Sequence, residues 1–122
     1  MLIDSNIIIY AARPEHGQLR QFIADHGPFV SAVSYVEVLG YHKLADEQRV
    51  LLEAFFIAAP MLALAQPVLD QAVKLRQLRK MTLGDALIAG TALAHHLTLV
   101  TRNSADFTWI AGLTILNPFE SA

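Results

Sequence analysis

The sequence predicts an α/β fold: a three-layer α/β/α sandwich around a parallel sheet of four or five strands. Three observations point to it. Short apolar runs alternate with longer helical patterns along the whole chain, the signature of strand–helix–strand units. Hydrophobic residues make up 54% of the sequence and charged residues only 16%, as expected where strands are buried on both faces. The length of 122 residues suits one domain, assigned to residues 1–122, large enough to bury a core without staples.

The elements follow in order. Met1–Asp4 reads as a short strand ending in the polar pair Ser5 and Asn6. Ile7 to about His26 reads as helical, broken at Arg13–Pro14 and stopped at Gly27–Pro28. Phe29–Val33 is the second strand, and Ser34 to about Lys43 the next helix. Asp46 to about Ala59 is another helix, ended by Pro60. Met61–Ala65 is the third strand, and Pro67 suits the first helical residue of a segment running to about Lys80. Thr82–His96 is a helix, Thr98–Thr101 the fourth strand and Thr114–Leu116 a fifth.

Composition narrows the function. Cysteine is absent, which removes disulfides and thiolate metal sites and suits a reducing compartment. The N-terminus carries Asp4 and no basic segment, unlike a signal peptide. The longest stretches free of charge, Ala54–Leu69 and Ala86–Thr101, fall short of the ~18 apolar residues of a spanning helix. The expectation is a cytoplasmic protein. The net charge of −2 argues against a high-affinity nonspecific nucleic-acid binder, but not against an enzyme that meets phosphate through a metal ion.

In parallel sheets, ligands bind beyond the carboxyl ends of the strands. Asp4 closes the first strand, Glu37 falls in the first turn of the helix after the second, and Asp106 follows the fourth by a few residues. Asp85 lies in the first turn of the helix leading into the fourth strand. Glu37 and Asp85 interrupt apolar helical runs, which predicts partial burial and hence a need for a partner. Each acid also has a plainer explanation. Ser34-x-x-Glu37 and Thr82-x-x-Asp85 fit a capping box, Asn103-x-x-Asp106 fits a looser version, and Asp4 could cap the helix after the first strand. The two readings are compatible, because a capping hydroxyl can orient an acid that binds metal. Four crowded carboxylates require a cation, and Mg²⁺ or Mn²⁺ prefers oxygen ligands. Such an ion serves hydrolysis of a phosphodiester. His16, His26, His42, His95 and His96 form no catalytic motif.

Four segments carry a family resemblance: Leu2-Ile3-Asp4-Ser5-Asn6, Ser31-Ala32-Val33-Ser34-Tyr35-Val36-Glu37, Leu83-Gly84-Asp85-Ala86-Leu87-Ile88-Ala89 and Thr101-Arg102-Asn103-Ser104-Ala105-Asp106-Phe107. Together they resemble the motifs of PIN-domain ribonucleases, above all the VapC-type toxins of prokaryotic toxin–antitoxin pairs. The resemblance spans essentially the whole chain. It implies an α/β/α sandwich, a Mg²⁺- or Mn²⁺-dependent endoribonuclease, a homodimer, and a cognate antitoxin whose C-terminal segment covers the active site. By position, Asp4, Glu37 and Asp85 match the three core metal-binding acids, and Asp106 the fourth, more variable one. Ser5 stands where the family usually has Thr and keeps the hydroxyl; Asn6 matches the polar residue that helps orient the site. Thr82 and Asn103 are further supporting residues. Gly90 stands where Ala is common, which loosens the helix slightly without touching the chemistry.

Lys74, Arg76, Arg79 and Lys80 cluster before the Asp85 helix, and Arg102 lies beside Asn103. Lys74 and Arg76 read as a solvated helix face. Arg79, Lys80 and Arg102 are candidates for RNA phosphate contacts or for pairing with an acidic or C-terminal antitoxin segment. Two other functions fit less well. A haloacid-dehalogenase-type phosphatase needs a second Asp where Asn6 stands. A signal-receiver domain needs an acidic pair after the first strand and an Asp after the third, which here ends in Ala65-Gln66-Pro67. An inactive PIN-like domain that only binds protein is the remaining alternative.

Overall fold

The computed structural model describes residues 1–120. Five short strands, β1 (Leu2–Ile3), β2 (Val30–Ser31), β3 (Met61–Leu62), β4 (Leu99–Val100) and β5 (Ile115–Leu116), all pair in parallel. Regular ladders join β1 to β4 to β5 and β2 to β3. A bridge between Leu2 and Phe29 links the two sets, so the strand order is β3-β2-β1-β4-β5. β1 is central and bonds to both neighbours: Ile3 N–H donates to Phe29 O (3.1 Å), and Leu2 and Asp4 N–H donate to Thr98 O and Val100 O (2.8 and 3.1 Å).

Six helices connect the strands: α1 (Ser5–Ala11), α2 (Gly17–His26), α3 (Ala32–Leu39), α4 (Asp46–Ala58), α5 (Gln66–Leu78) and α6 (Leu83–Ala94). Alternation along β1 and β4 assigns them to two layers. Ile3 and Val100 pack with Ile7, Ile8, Leu19, Val38, Leu52 and Phe56, from α1 to α4. Leu2 and Leu99 point the other way, onto Leu75, Ile88, Ala89 and Ala92 of α5 and α6. This is the α/β/α sandwich with a parallel sheet that the sequence predicts. No helix among the described residues is long and apolar enough to cross a membrane.

Three local features differ from the sequence reading. The second strand ends earlier than Val33, because Ser31 accepts from Val33 N–H and starts α3 at Ala32. Ser34 is therefore buried inside the helix and is not its cap, and Glu37 lies beyond the first turn. The capping-box reading of Ser34 and Glu37 fails for that reason. Asn103 precedes a short 3-10 helix, Ser104–Asp106, but its side chain caps nothing there. Gly90 is more than a slight weakness in α6. A Cβ at this position would stand 2.8 Å from Val68 O and 3.1 Å from Ala72 N, so α5 and α6 touch backbone to backbone here. Ala in place of Gly favours a helix by roughly 1 kcal/mol, yet overlap with a rigid backbone costs about 1–3 kcal/mol. Gly90→Ala is therefore expected to lower the urea midpoint; a raised midpoint would show that the two helices have room to separate.

Candidate active site

The carboxyl ends of β1, β2 and β4 open onto one edge of the sheet. Asp4 leaves β1 with a backbone φ of −83° and ψ of 172° and serves as the N-cap of α1, its Oδ1 accepting from Ile7 N–H at 2.9 Å. Only 6% of its surface is exposed. Burial pushes its carboxyl above the ordinary value, and the charges of Asp85 and Glu37 push the same way; hydrogen bonds from Thr101 and Ile7 pull it back. Thr101 follows β4 at the position facing Asp4, since Ile3 pairs with Val100. Its buried hydroxyl serves Asp4 and also accepts from Asn103 N–H at 3.1 Å. Sequence reasoning missed Thr101. The signal was available in the register: two parallel strands that each end in a polar residue set those residues side by side.

Glu37 is exposed, contrary to the burial expected of it, and its partner is a hydroxyl. Ser5 Oγ donates to Glu37 Oε1 at 2.7 Å and stands 2.9 Å from Ser34 Oγ. Ser5 has one proton and gives it to Glu37, so Ser34 donates to Ser5. The other carboxylate oxygen, Oε2, lies against α6 at Gly84, where a Cβ would overlap it and stand 3.1 Å from Glu37 Cδ. Glu37 is thus held between a hydroxyl pair and a helix face kept bare by glycine. Asn6, in the first turn of α1, is exposed.

Asp85 is half-buried in the first turn of α6, where Thr82 Oγ1 caps the helix by accepting from Asp85 N–H at 3.1 Å. The cap uses the backbone N–H of Asp85 and not its carboxylate. Burial raises its pKa, followed by the charge of Asp106; a hydrogen bond from Thr82 lowers it, and Glu37 raises it further. The start of α6 therefore reaches the same edge as Asp4, which the sequence alone left open. Asp106 ends the 3-10 helix, exposed, with its carbonyl accepting from Trp109 Nε1 at 2.9 Å. Arg79, at the end of α5, lies over the Trp109 ring at 4.8 Å, and Arg102 over Phe119 at 4.5 Å and Tyr10 at 5.1 Å. Lys80 is exposed. His26 bonds the carbonyl of Phe22 at 2.8 Å and His95 closes α6, both of them helix-end positions.

The acids thus act on one another through their charges, and no cation is among the groups that shift Asp4 or Asp85. Among the described residues, no three of these side chains converge tightly enough to hold one ion between them. The donor set fits a hard cation in another way: Mg²⁺ takes one or two carboxylates and fills its shell with water and substrate oxygen. Asp4 and Asp85 are the buried and half-buried pair suited to that part.

With the geometry established, the family is clear. The chain belongs to the PIN-domain family, whose description matches residues 1–113. It is similar, at 30% identity over 98% of each chain and a TM-score of 0.76, to a chain of a toxin–antitoxin complex from Klebsiella pneumoniae. The fold is also that of VapBC2 from Rickettsia felis, bound to a DNA fragment from its promoter (20% identity, TM-score 0.82, 95% of this chain and 96% of that one). DNA-bound VapBC from Salmonella typhimurium shares it as well (21% identity, TM-score 0.81, 94% and 95%). A sequence comparison with curated proteins finds no match.

The raised pKa values set a pH dependence. A carboxyl whose folded pKa lies above its unfolded value binds its proton more tightly when folded. Its contribution to stability is full below the unfolded value near ~4 and is lost as pH rises through the folded value. In chelator, the protein is expected to melt at a higher temperature as pH falls from 7 towards 4.5. Asp85→Asn, which keeps the backbone cap to Thr82, should flatten that rise and melt above wild type at pH 7; a lower melting temperature would mean that the carboxylate itself supports the helix start.

Proposed function

We propose that the chain is a Mg²⁺- or Mn²⁺-dependent endoribonuclease, the cytoplasmic toxin of a toxin–antitoxin pair. The observation that carries this reading is the gathering of Asp4, Glu37, Asp85 and Asp106 at the carboxyl edge of a PIN-domain sheet, with repulsion between them and, among the described residues, no basic group acting on Asp4 or Asp85. Mg²⁺ or Mn²⁺ bound there supplies Lewis acidity at the scissile phosphate. Asp4 and Asp85 provide the negative charge that holds the ion. Asp4 is fixed from both sides, by Ile7 N–H and by Thr101. Glu37 Oε1 is occupied by Ser5, which leaves Oε2 to accept a proton from the attacking water. Asp106 stands close enough to bias Asp85 and lies on the exposed side, where substrate enters.

The surface supports partners. An apolar groove of about 440 Å³ opens between α1, α2 and α4, lined by residues including Ile8, Ala11, Ile23, Leu52 and Phe55. It is a seat for an antitoxin segment. Leu69 and Val73, one turn apart on α5, are exposed, as are Val36 on α3 and Leu83 on α6. These suit a second copy in a homodimer. The 30% identical chain from Klebsiella pneumoniae occurs in a toxin–antitoxin complex, which favours the same arrangement.

Purified protein should cut RNA with Mg²⁺ or Mn²⁺ and stop in excess chelator; undiminished cutting in chelator would end the metal mechanism. Asp4→Asn should abolish cleavage with little loss of stability, because Asn caps a helix about as well as Asp. Gly84→Ala is expected to leave the fold intact, since only the end of a flexible side chain must move, and to reduce cleavage by displacing Glu37. Equal activity in Gly84→Ala would show that the position of Glu37 is not critical. Expression alone should arrest growth, and co-expression with the adjacent small gene should restore it.

A further inference from the structure

Three arginines, Arg13, Arg79 and Arg102, lie over aromatic rings. On the layer formed by α1 to α4, Tyr10, His16 and Phe119 form an edge-to-face cluster, with centroids 5.4 to 5.9 Å apart. Arg13 lies over Tyr10 at 5.0 Å, and Arg102 lies over both Tyr10 and Phe119. Asn117 fastens the group: its Nδ2 donates to Arg102 O at 3.2 Å and its Oδ1 accepts from Phe119 N–H at 2.9 Å. On the opposite layer, Trp109 packs with the core of α5 and α6 and carries Arg79. Each platform is tied to an acid. Arg102 follows Thr101, which bonds Asp4, and Trp109 Nε1 bonds the carbonyl of Asp106.

A polyanion approaching four carboxylates is repelled, and fixed positive charge beside them offsets that repulsion along the strand away from the metal position. A guanidinium stacked on a ring keeps its in-plane N–H groups free for phosphate, and ring and guanidinium faces both accept an unstacked base. We propose that single-stranded RNA crosses the carboxyl edge of the sheet from one arginine–aromatic platform to the other. Arg79 and Trp109 grip it on one side of the acids; Arg13, Arg102, Tyr10 and Phe119 grip it on the other. The proposal rests on the nuclease reading and adds the path and polarity-independent footprint of the substrate. Of the residues involved, Arg13, Tyr10, Phe119 and Trp109 were not apparent from the sequence motifs.

The test measures binding of a labelled single-stranded RNA to the full chain carrying Asp4→Asn, in Mg²⁺ over a range of salt. Arg13→Gln and Arg102→Gln should each raise Kd severalfold and make the log Kd against log salt plot shallower by about 0.7 per arginine. Tyr10→Leu keeps both charges, so it should raise Kd with the salt slope retained. Arg102→Lys keeps charge and stem and should likewise retain the slope. It guards against a loss caused only by unfolding. Trp109 is the chain's only tryptophan, so its emission reports directly on its platform and should be quenched on saturation with RNA. The double variant Arg13→Gln, Arg102→Gln binding like its parent, or Trp109 emission unmoved at saturation, overturns the proposed path while wild-type cleavage of RNA leaves the nuclease reading standing. A wild type that neither binds nor cuts RNA overturns both.

Discussion

A carboxylate buried at the end of the central strand governs the arrangement of the whole edge. Asp4 has almost no access to water, and a lone buried charge costs several kcal/mol or shifts towards its neutral form. Two parts of the fold offset that cost. The first turn of α1 presents Ile7 N–H, and the end of β4 brings the Thr101 hydroxyl alongside. What remains uncompensated is the repulsion from Asp85 and Glu37. The site is therefore strained in its electrostatics rather than in its backbone, since the only non-glycine residue with positive φ among those described is the distant His96.

The other acids are held by different means, and the difference suits different work. Asp85 sits on a helix start whose cap engages its backbone. Its carboxylate position follows from α6, which is itself packed backbone to backbone on α5 at Gly90. Glu37 is longer, exposed and carried on a helix of eight residues. It needs side-chain support, and two hydroxyls from α1 and α3 supply it. Two of the helix glycines, Gly84 and Gly90, thus let neighbouring groups approach, one admitting a carboxylate and the other a backbone.

Much of this was legible in the sequence, for a physical reason. Strand ends are marked by an abrupt change from apolar to polar residues, and in a parallel sheet those ends share one edge; Asp4 and the segment around Asp106 could be placed that way. Strand–helix alternation gave the layers. The rest depended on contacts between elements. Ser31 and Ser34 are both plausible caps, and only the end of pairing between β2 and β3 decides between them. The apolar run around Glu37 suggested burial, but only part of it, such as Val38, reaches the core; Tyr35 and Val36 are themselves exposed and share the surface with Glu37. The seat at Gly84 joins residues far apart in the chain, and no local pattern encodes it.

The strand lengths have a consequence for how the chain finds this arrangement. β1 pairs regularly over Leu2 and Ile3 only, with Ile3 opposite Val100. Side chains alternate across a strand, so a slip of one residue reverses every face. Sliding β1 by one position towards the core would drive Asp4 into the apolar layer that Ile3 now fills, turn Ile3 to the face that Leu2 fills and bring Ser5 to the wet edge. The misaligned pairing would turn each apolar side chain to the wrong layer and strand a charge. The same carboxylate that takes part in the repulsion at the site is therefore a proofreading mark for the sheet, penalising the wrong alignment.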